Sequence, residues 1–118
     1  MERVGLIYIK EVEGKGRGVF CKERLVTNQC IEISPIILIP ASDVTKIKET
    51  MLNEYIFGWN DLAFIGLGNV SLYNHSDEPN AEAIPVIAEK SVIINAIQEI
   101  EPNTEICIKY PQRQDSWF

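Results

Sequence analysis

Turn-forming residues divide this sequence into short apolar runs, and that division is what most constrains its fold. The apolar run 6–9 is followed by the glycine-rich stretch 14–18, and the run 36–39 lies between Pro35 and Pro40. Four apolar residues between two prolines suit a strand buried on both faces, or an edge strand at its proline end. The 18 isoleucines and 8 valines outnumber the 7 leucines, which favours strands because β-branched side chains pack well on a pleated sheet. We therefore expect a mostly β domain with little helix.

Later strands are expected from the same kind of pattern. Residues 83–88 and 92–97 read as two strands joined in a hairpin by residues 89–91, and residues 106–110 read as a last strand before Pro111. The stretch 74–80 is so rich in turn formers that it must be a loop.

One segment has the pattern of an amphipathic helix. Pro40 to Asp43 is a helix-start signal, with Ser42 or Asp43 available as the N-cap. Apolar side chains then recur at helical spacing, at Val44, Ile47, Met51, Leu52 and Tyr55. This pattern predicts one main helix near 43–57, ended by Gly58.

Length and charge exclude several classes of function. A chain of 118 residues fits one domain spanning 1–118. A net charge of −6 argues against direct nucleic-acid binding, which needs a basic surface. No apolar stretch approaches the roughly 20 residues that would span a bilayer, so we expect no membrane partner. Three widely spaced cysteines and a single histidine predict buried thiols in a reducing cytoplasm and no metal site.

The charges are unevenly distributed along the chain. Residues 1–24 hold six of the eleven basic residues, whereas residues 49–89 hold seven acids and no lysine or arginine. The acidic stretch is either a solvated face or a field that draws a basic partner toward the loop 74–80.

Taken singly, the candidate chemical groups leave alternatives open. The stretch 14–18 is neither a P-loop nor a dinucleotide fingerprint, so it is either a glycine turn or backbone that approaches a ligand closely. His75 cannot form a triad with its neighbours Ser76 and Asp77, and a pair with Cys107 has no evident third group. Its simplest role is a hydrogen bond within the loop. Tyr110 falls at a strand end, where tyrosines usually belong to the core or its rim.

Five short motifs nevertheless occur in a characteristic order. They are Gly14-Lys15-Gly16-Arg17-Gly18-Val19-Phe20, Glu54-Tyr55-Ile56-Phe57, Gly66-Leu67-Gly68, Asn74-His75-Ser76-Asp77-Glu78-Pro79-Asn80-Ala81 and Glu105-Ile106-Cys107-Ile108-Lys109-Tyr110. Together they resemble the SET-domain family of protein lysine methyltransferases, over roughly residues 4–111. The resemblance implies a minimal SET domain without pre-SET or post-SET zinc modules. Its fold would be a β-clip-like set of small curved sheets with a C-terminal pseudoknot.

The resemblance also implies a function and a set of site residues. The chain would transfer a methyl group from S-adenosylmethionine to a lysine amine in a histone or another basic protein. The implied cofactor-binding residues are Lys15, Gly16, Arg17, Tyr55, Asn74 and His75, with Trp117 expected to close over the adenine. The implied catalytic tyrosine is Tyr110, with Tyr73 as an aromatic residue beside the lysine channel.

Two departures from the family pattern keep other interpretations open. Asn103-Thr104-Glu105 stands where the family often has Gly-Glu-Glu, and no second tyrosine follows Tyr110 closely. The alternative function is a catalytically weak or inactive SET-like module that binds basic peptides or protein partners. Without post-SET cysteines, Trp117 or Phe118 would complete the pocket, or a second subunit would do so in a homodimer.

Overall fold

A computed structural model describes residues 5–59 and 62–110 of the chain, and strands dominate this part. The strands are β1 Ile7–Val12, β2 Gly16–Cys21, β3 Cys30–Ile39, β4 Ile56–Trp59, β5 Leu62–Gly66, β6 Asn74–His75, β7 Ala81–Val86, β8 Ser91–Ala96 and β9 Glu105–Ile108. The α-helix α1 spans Ala41–Ile47, and short 3-10 turns cover Met51–Tyr55, Val70–Leu72 and Ile87–Glu89. The mostly β fold expected from the sequence is confirmed.

The strands form two sheets. The first has the order β1-β2-β9-β6, in which β6 and β9 are parallel and the other neighbours are antiparallel. The second has the order β4-β5-β3-β8-β7, with every neighbouring pair antiparallel. Burial alternates strictly along β8, because successive side chains of a strand point to opposite faces. The predicted hairpin of two late strands is present as β7 and β8, but β7 begins two residues earlier and β8 one residue earlier than expected.

One hydrophobic core joins the two sheets. Val19 of β2 and Ile106 of β9 pack in the same cluster as Ile36 of β3 and Ile94 of β8. A smaller cluster, formed by Val44, Ile56 and Ala63, lies beneath α1. The helix thus covers only the β4–β5 end of the second sheet. None of the helices among the described residues is long and apolar enough to cross a membrane.

The predicted helix over 43–57 is the clearest difference between sequence and structure. α1 ends at Ile47, and the chain turns at Thr50 into the 3-10 turn Met51–Tyr55. The Thr50 hydroxyl donates to the carbonyl of Ile47 at 2.7 Å and accepts from the Leu52 amide at 3.2 Å. A threonine side chain that bonds the backbone in this way competes with the helix ladder. Gly58, the expected helix end, instead pairs with Ala63 between β4 and β5.

Pro35 does not separate two strands as its position suggested. β3 runs continuously from Cys30 to Ile39, but it changes partner at the proline. Residues up to Pro35 pair with β8, and residues from Ile36 onward pair with β5. The absent N–H of proline costs little where the ladder changes sides. At the start of the helix, Pro40 is the N-cap and no side chain caps α1, contrary to the expected role of Ser42 or Asp43.

The segment 74–80, expected to be a loop throughout, begins with the two-residue strand β6 and wraps around the last strand. Asn74 and His75 pair in parallel with Cys107 and Ile108. The Asn80 side chain then donates to the Glu105 carbonyl at 2.9 Å and accepts from the Cys107 amide at 2.8 Å. This arrangement is consistent with the pseudoknot that the resemblance implies. It brings the motif 74–81 into contact with the motif 105–110.

Candidate active site

Two cavities adjoin each other beside the loop 74–80 and the end of β9. The larger measures about 370 Å³, and its lining is Glu11, Lys15, Gly16, Arg17, Glu54, Tyr55, Ser71, Leu72, Asn74 and Tyr110. The smaller measures about 40 Å³, and its lining is Glu54, Tyr55, Ile56, Phe57, Gly58, Ser71 and Tyr110. Four residues line both cavities and mark their junction: Glu54, Tyr55, Ser71 and Tyr110.

The glycine-rich turn between β1 and β2 forms one wall of the larger cavity. Gly16 has φ +81°, a left-handed conformation that glycine adopts without strain. Gly18 is favoured for a different reason, because a Cβ there would lie 2.6 Å from Glu105 Oε2 and 3.0 Å from Asn74 Nδ2, and these side chains would have to shift. Gly18 therefore lets β2 pass close to the Asn74 side chain.

Asn74 ties three strands together at the cavity wall. Its Nδ2 donates to the Arg17 carbonyl at 3.1 Å and to Glu105 Oε2 at 2.6 Å. These bonds link β6 to β2 and β9. The Glu105 carboxylate, the only acid retained from the family's Gly-Glu-Glu pattern, thus orients the amide that lines the cavity.

Tyr110 is held in place by the main chain and by two rings. Its hydroxyl donates to the Tyr73 carbonyl at 2.5 Å, its ring meets Phe57 edge-on with centroids 5.9 Å apart, and the His75 ring lies 5.2 Å from it. Burial raises the pKa of the Tyr110 phenol above its ordinary value, and the nearby Cys107 and Glu105 raise it further. The phenol is therefore neutral at pH 7, and its oxygen lone pairs remain available to accept hydrogen bonds.

His75 supports Tyr110 and does not line either of the two cavities described. Its Nδ1 accepts from the Tyr110 amide at 2.9 Å, and its Nε2 lies 3.1 Å from Asp77 Oδ1. Because Nδ1 is an acceptor, the neutral ring carries its hydrogen on Nε2. The cofactor contact implied for His75 stays a prediction, while its visible role is to position the backbone of Tyr110.

The Tyr73 side chain lies in the core and lines neither of the two cavities, and the place beside a lysine channel that the resemblance implies for it stays a prediction. It is fully buried, and its hydroxyl donates to Glu32 Oε1 at 2.7 Å. Burial and the Glu32 charge raise the pKa of Tyr73 far above its ordinary value. Tyr73 reaches the junction through its carbonyl, which accepts from Tyr110. Trp117, the expected cover of the adenine, lies outside the described residues.

The Glu32 carboxylate fixes the segment 69–73 at both ends. Besides the Tyr73 hydroxyl, it accepts from the Asn69 amide at 2.9 Å and from the Ser34 hydroxyl at 2.9 Å. Three hydrogen bonds satisfy a carboxylate that no described cation approaches within ion-pair distance. The middle of this segment supplies Ser71 to the cavities.

Six residues that the family resemblance implies for the site line the larger cavity: Lys15, Gly16, Arg17, Tyr55, Asn74 and Tyr110. Four other lining residues are not expected from the sequence: Glu11, Glu54, Ser71 and Leu72. Glu54 had a signal, since it belongs to the same motif as Tyr55. Glu11 faces Arg17 across the β1–β2 hairpin, and only the register reveals this.

The charges of the larger cavity suit a zwitterionic ligand. Lys15 and Arg17 can meet a carboxylate, while Glu11 and Glu54 can meet an ammonium group or hydroxyls. Its volume falls within the range of roughly 300–1,000 Å³ usual for small-molecule sites. The smaller cavity is lined largely by aromatic and apolar side chains. Its one carboxylate, Glu54, also lines the larger cavity.

Comparisons with known proteins agree with this geometry. The SET domain model matches residues 16–111. A Schizosaccharomyces pombe histone-lysine N-methyltransferase specific for lysine 37 of histone H3 is 34% identical over 112 residues, covering 93% of this chain and 75% of that protein.

A solved structure of a Plasmodium falciparum candidate histone methyltransferase superposes with a TM-score of 0.70 at 30% identity. The match covers 92% of this chain and 95% of that one. The chain therefore belongs to the SET-domain family and is a protein-lysine N-methyltransferase.

Proposed function

We propose that the larger cavity binds S-adenosylmethionine, that the smaller one receives the target lysine, and that methyl transfer takes place at their junction. The observation that carries this proposal is the position of Tyr110, which lines both cavities beside the glycine turn and Asn74. SET methyltransferases use S-adenosylmethionine in general.

The residues of the larger cavity fit the parts of that cofactor. Its amino-acid end carries a carboxylate and an ammonium group, which match the cations Lys15 and Arg17 and the acids Glu11 and Glu54. When bound, S-adenosylmethionine supplies a methyl group on a sulfonium, which an amine attacks as the carbon–sulfur bond breaks and its electron pair stays on sulfur. The protein's task is then mainly alignment.

The smaller cavity suits a lysine side chain. Tyr55, Phe57 and Tyr110 present rings to the alkyl stem, and aromatic faces also attract the ammonium group. Free lysine has a pKa near 10.4, and partial burial in such a channel lowers it toward the neutral amine that can attack. With its own proton donated to Tyr73, the Tyr110 oxygen can accept a hydrogen bond from the amine and orient it.

The substrate we propose is a basic protein, with histone H3 as the first candidate. The chain carries a net charge of −6, and seven acids fall within residues 49–89, including Glu54 at the junction. The relative from Schizosaccharomyces pombe acts on lysine 37 of histone H3. The three cysteines are free, as a reducing intracellular compartment would keep them, and we place the enzyme there.

Transfer of a labelled methyl group tests the proposal. Purified protein is incubated with labelled S-adenosylmethionine and either an H3 peptide centred on lysine 37 or a degenerate pool of basic peptides with one fixed central lysine. We expect label on lysine, and we expect Tyr110→Phe to bind S-adenosylhomocysteine as the wild type does while transferring about a hundredfold more slowly. Peptide binding without any label would instead favour a non-catalytic module, and full activity of Tyr110→Phe would remove the role given to Tyr110.

A further inference from the structure

The Ser71 hydroxyl is a buried polar group that no residue in the described ranges 5–59 and 62–110 hydrogen-bonds. Ser71 lines both cavities, and its Oγ has no hydrogen-bond partner among the described residues. A buried hydroxyl without a partner is unfavourable, and such groups in a folded protein need an explanation. Ser71 lines the junction, and rotation about its Cα–Cβ bond would turn the buried hydroxyl toward that space, where a ligand would supply the missing partner.

The backbone that carries this hydroxyl is fixed before any ligand arrives. Ser71 lies in the 3-10 turn Val70–Leu72, and the Leu72 amide donates to the Asn69 carbonyl at 2.9 Å. Glu32 holds the segment at the Asn69 amide and at the Tyr73 hydroxyl. A polar atom on so firmly anchored a turn has the character of a preorganised contact.

On the basis of the proposed function, we propose that Ser71 Oγ accepts a hydrogen bond from the target lysine amine. A neutral amine has two N–H groups and one lone pair. Ser71 Oγ and the Tyr110 oxygen can accept the two hydrogens, which leaves the lone pair free to attack the methyl group. Ser71 is thus a specificity-determining residue.

The contact would favour an unmethylated lysine over a methylated one. Each methyl group added to the nitrogen replaces an N–H, so a monomethylated neutral amine can satisfy only one of the two acceptors. Sites built to pair with an N–H discriminate against analogues that lack it, because their own polar group is left unpaired.

Three variants distinguish the effect of losing the hydrogen bond from the effect of changing the size of the side chain. Ser71→Ala removes the acceptor, and Ser71→Cys keeps nearly the same size with a much weaker acceptor. Ser91→Ala is the matched control, since Ser91 is a half-buried serine on β8 that lines neither cavity. Circular dichroism verifies that each variant is folded.

Two measurements use degenerate basic peptide pools with a fixed central residue. The first is kcat/KM for pools with unmethylated and with monomethylated lysine. The second is pool binding by fluorescence anisotropy, in the presence of saturating S-adenosylhomocysteine, with central lysine compared with norleucine. For Ser71→Ala we expect about a tenfold loss of kcat/KM on the unmethylated pool and a smaller loss on the monomethylated pool. The preference for lysine over norleucine should shrink, Ser71→Cys should resemble Ser71→Ala, and the control should match the wild type.

Other outcomes would overturn the inference in distinguishable ways. An unchanged ratio between the two pools, or a Ser71→Cys variant that behaves as the wild type, would mean that the hydroxyl makes no such bond. A calorimetric loss of S-adenosylhomocysteine affinity in Ser71→Ala would assign the hydroxyl to the cofactor. Absence of transfer by the wild type to every pool would defeat the proposed function and this inference together.

Discussion

Gly18 shows how a single residue without a side chain can shape the site. The strand β2 passes so close to Asn74 and Glu105 that a Cβ at this position would force neighbouring side chains to shift. The contact is what allows the Asn74 amide to reach the Arg17 carbonyl. Cofactor binding should therefore depend on a residue that contributes no chemical group to the cavity.

Replacing Gly18 by alanine should damage both stability and ligand binding. The added Cβ would meet Glu105 Oε2 at 2.6 Å, so either the carboxylate or the strand must move. We expect a loss of about 1–3 kcal/mol in the free energy of unfolding, as for other overpacked sites. We also expect weaker binding of S-adenosylhomocysteine by calorimetry.

Gly5→Ala is the control for that substitution. A Cβ at Gly5 would have no atom within 4 Å, and its φ is not left-handed. Its urea midpoint and its ligand affinity should equal those of the wild type. A Gly18→Ala protein with wild-type affinity would show that the close approach of β2 and Asn74 is unimportant for the site.

At the residue scale, the site can be predicted from the sequence wherever a motif is local. The turn 14–18 and the stretch 74–81 each match the family pattern in consecutive residues, and that resemblance predicts Lys15, Arg17 and Asn74 as cofactor-binding residues. All three line the larger cavity. The buried position of the Tyr73 ring could not be predicted from a local motif. Its hydroxyl bonds to Glu32, which is distant in sequence, and no local pattern links the two residues.

At the scale of elements, the segment 69–73 depends on one buried hydrogen-bond network. Tyr73 and Glu32 are 41 residues apart in sequence, and their hydrogen bond of 2.7 Å anchors the turn that supports Tyr110.

The helix α1 is shorter than predicted because of contacts between elements. Apolar spacing over 43–57 is helical, but Thr50 bonds the backbone and Ile56 pairs with Ile65 of β5, so tertiary pairing overrides the pattern.

Tyr73→Phe should destabilise the protein at neutral pH and by less at high pH. At pH 7 the variant leaves Glu32 Oε1 without its donor, which should cost about 1–3 kcal/mol in urea unfolding. The pKa of Tyr73 is higher in the folded state than in the unfolded state, where it is near 10. The hydroxyl's contribution to folding stability is therefore complete below about pH 10 and is lost as the pH rises above that value.

The difference in the free energy of unfolding between the wild type and Tyr73→Phe should consequently become smaller between pH 7 and pH 10.5. Tyr8→Phe is the comparison, because the Tyr8 hydroxyl donates to Asn103 at an exposed position, and we expect it to change stability by less than about 0.5 kcal/mol. A gap that stays constant or widens with pH would contradict the assigned network.

At the scale of the whole molecule, charge distinguishes the N-terminal part of the sequence from its middle. Six of eleven basic residues lie in 1–24, and the acids of 49–89 include Glu54 at the cavity junction. Composition alone could predict the attraction of a basic partner, but not that an acid would stand where the two cavities meet. That placement requires the fold, because residues 54, 71 and 110 come together only through both sheets. The homodimer considered from the sequence stays a prediction, which sedimentation at two concentrations would test.

Salt should weaken peptide methylation more than cofactor binding. Raising ionic strength from about 0.05 M to 0.5 M shortens the screening length severalfold, so attraction of a basic peptide by exposed acids should fall. We expect kcat/KM for the lysine peptide pool to drop several-fold, mainly through KM. S-adenosylhomocysteine affinity should change less. A rate that is independent of salt would show that the acidic stretch is only a solvated face.

In the proposed function, the glycine turn, Asn74 and Tyr110 enclose the cofactor. Calorimetric titration of S-adenosylhomocysteine into the wild type, Asn74→Ala and Asn95→Ala tests it most directly, since Asn95 is a half-buried asparagine on β8 outside both cavities. We predict one site per chain, at least a tenfold loss of affinity in Asn74→Ala and wild-type affinity in Asn95→Ala. Equal affinity in all three folded proteins, or no binding to the wild type, would contradict the account.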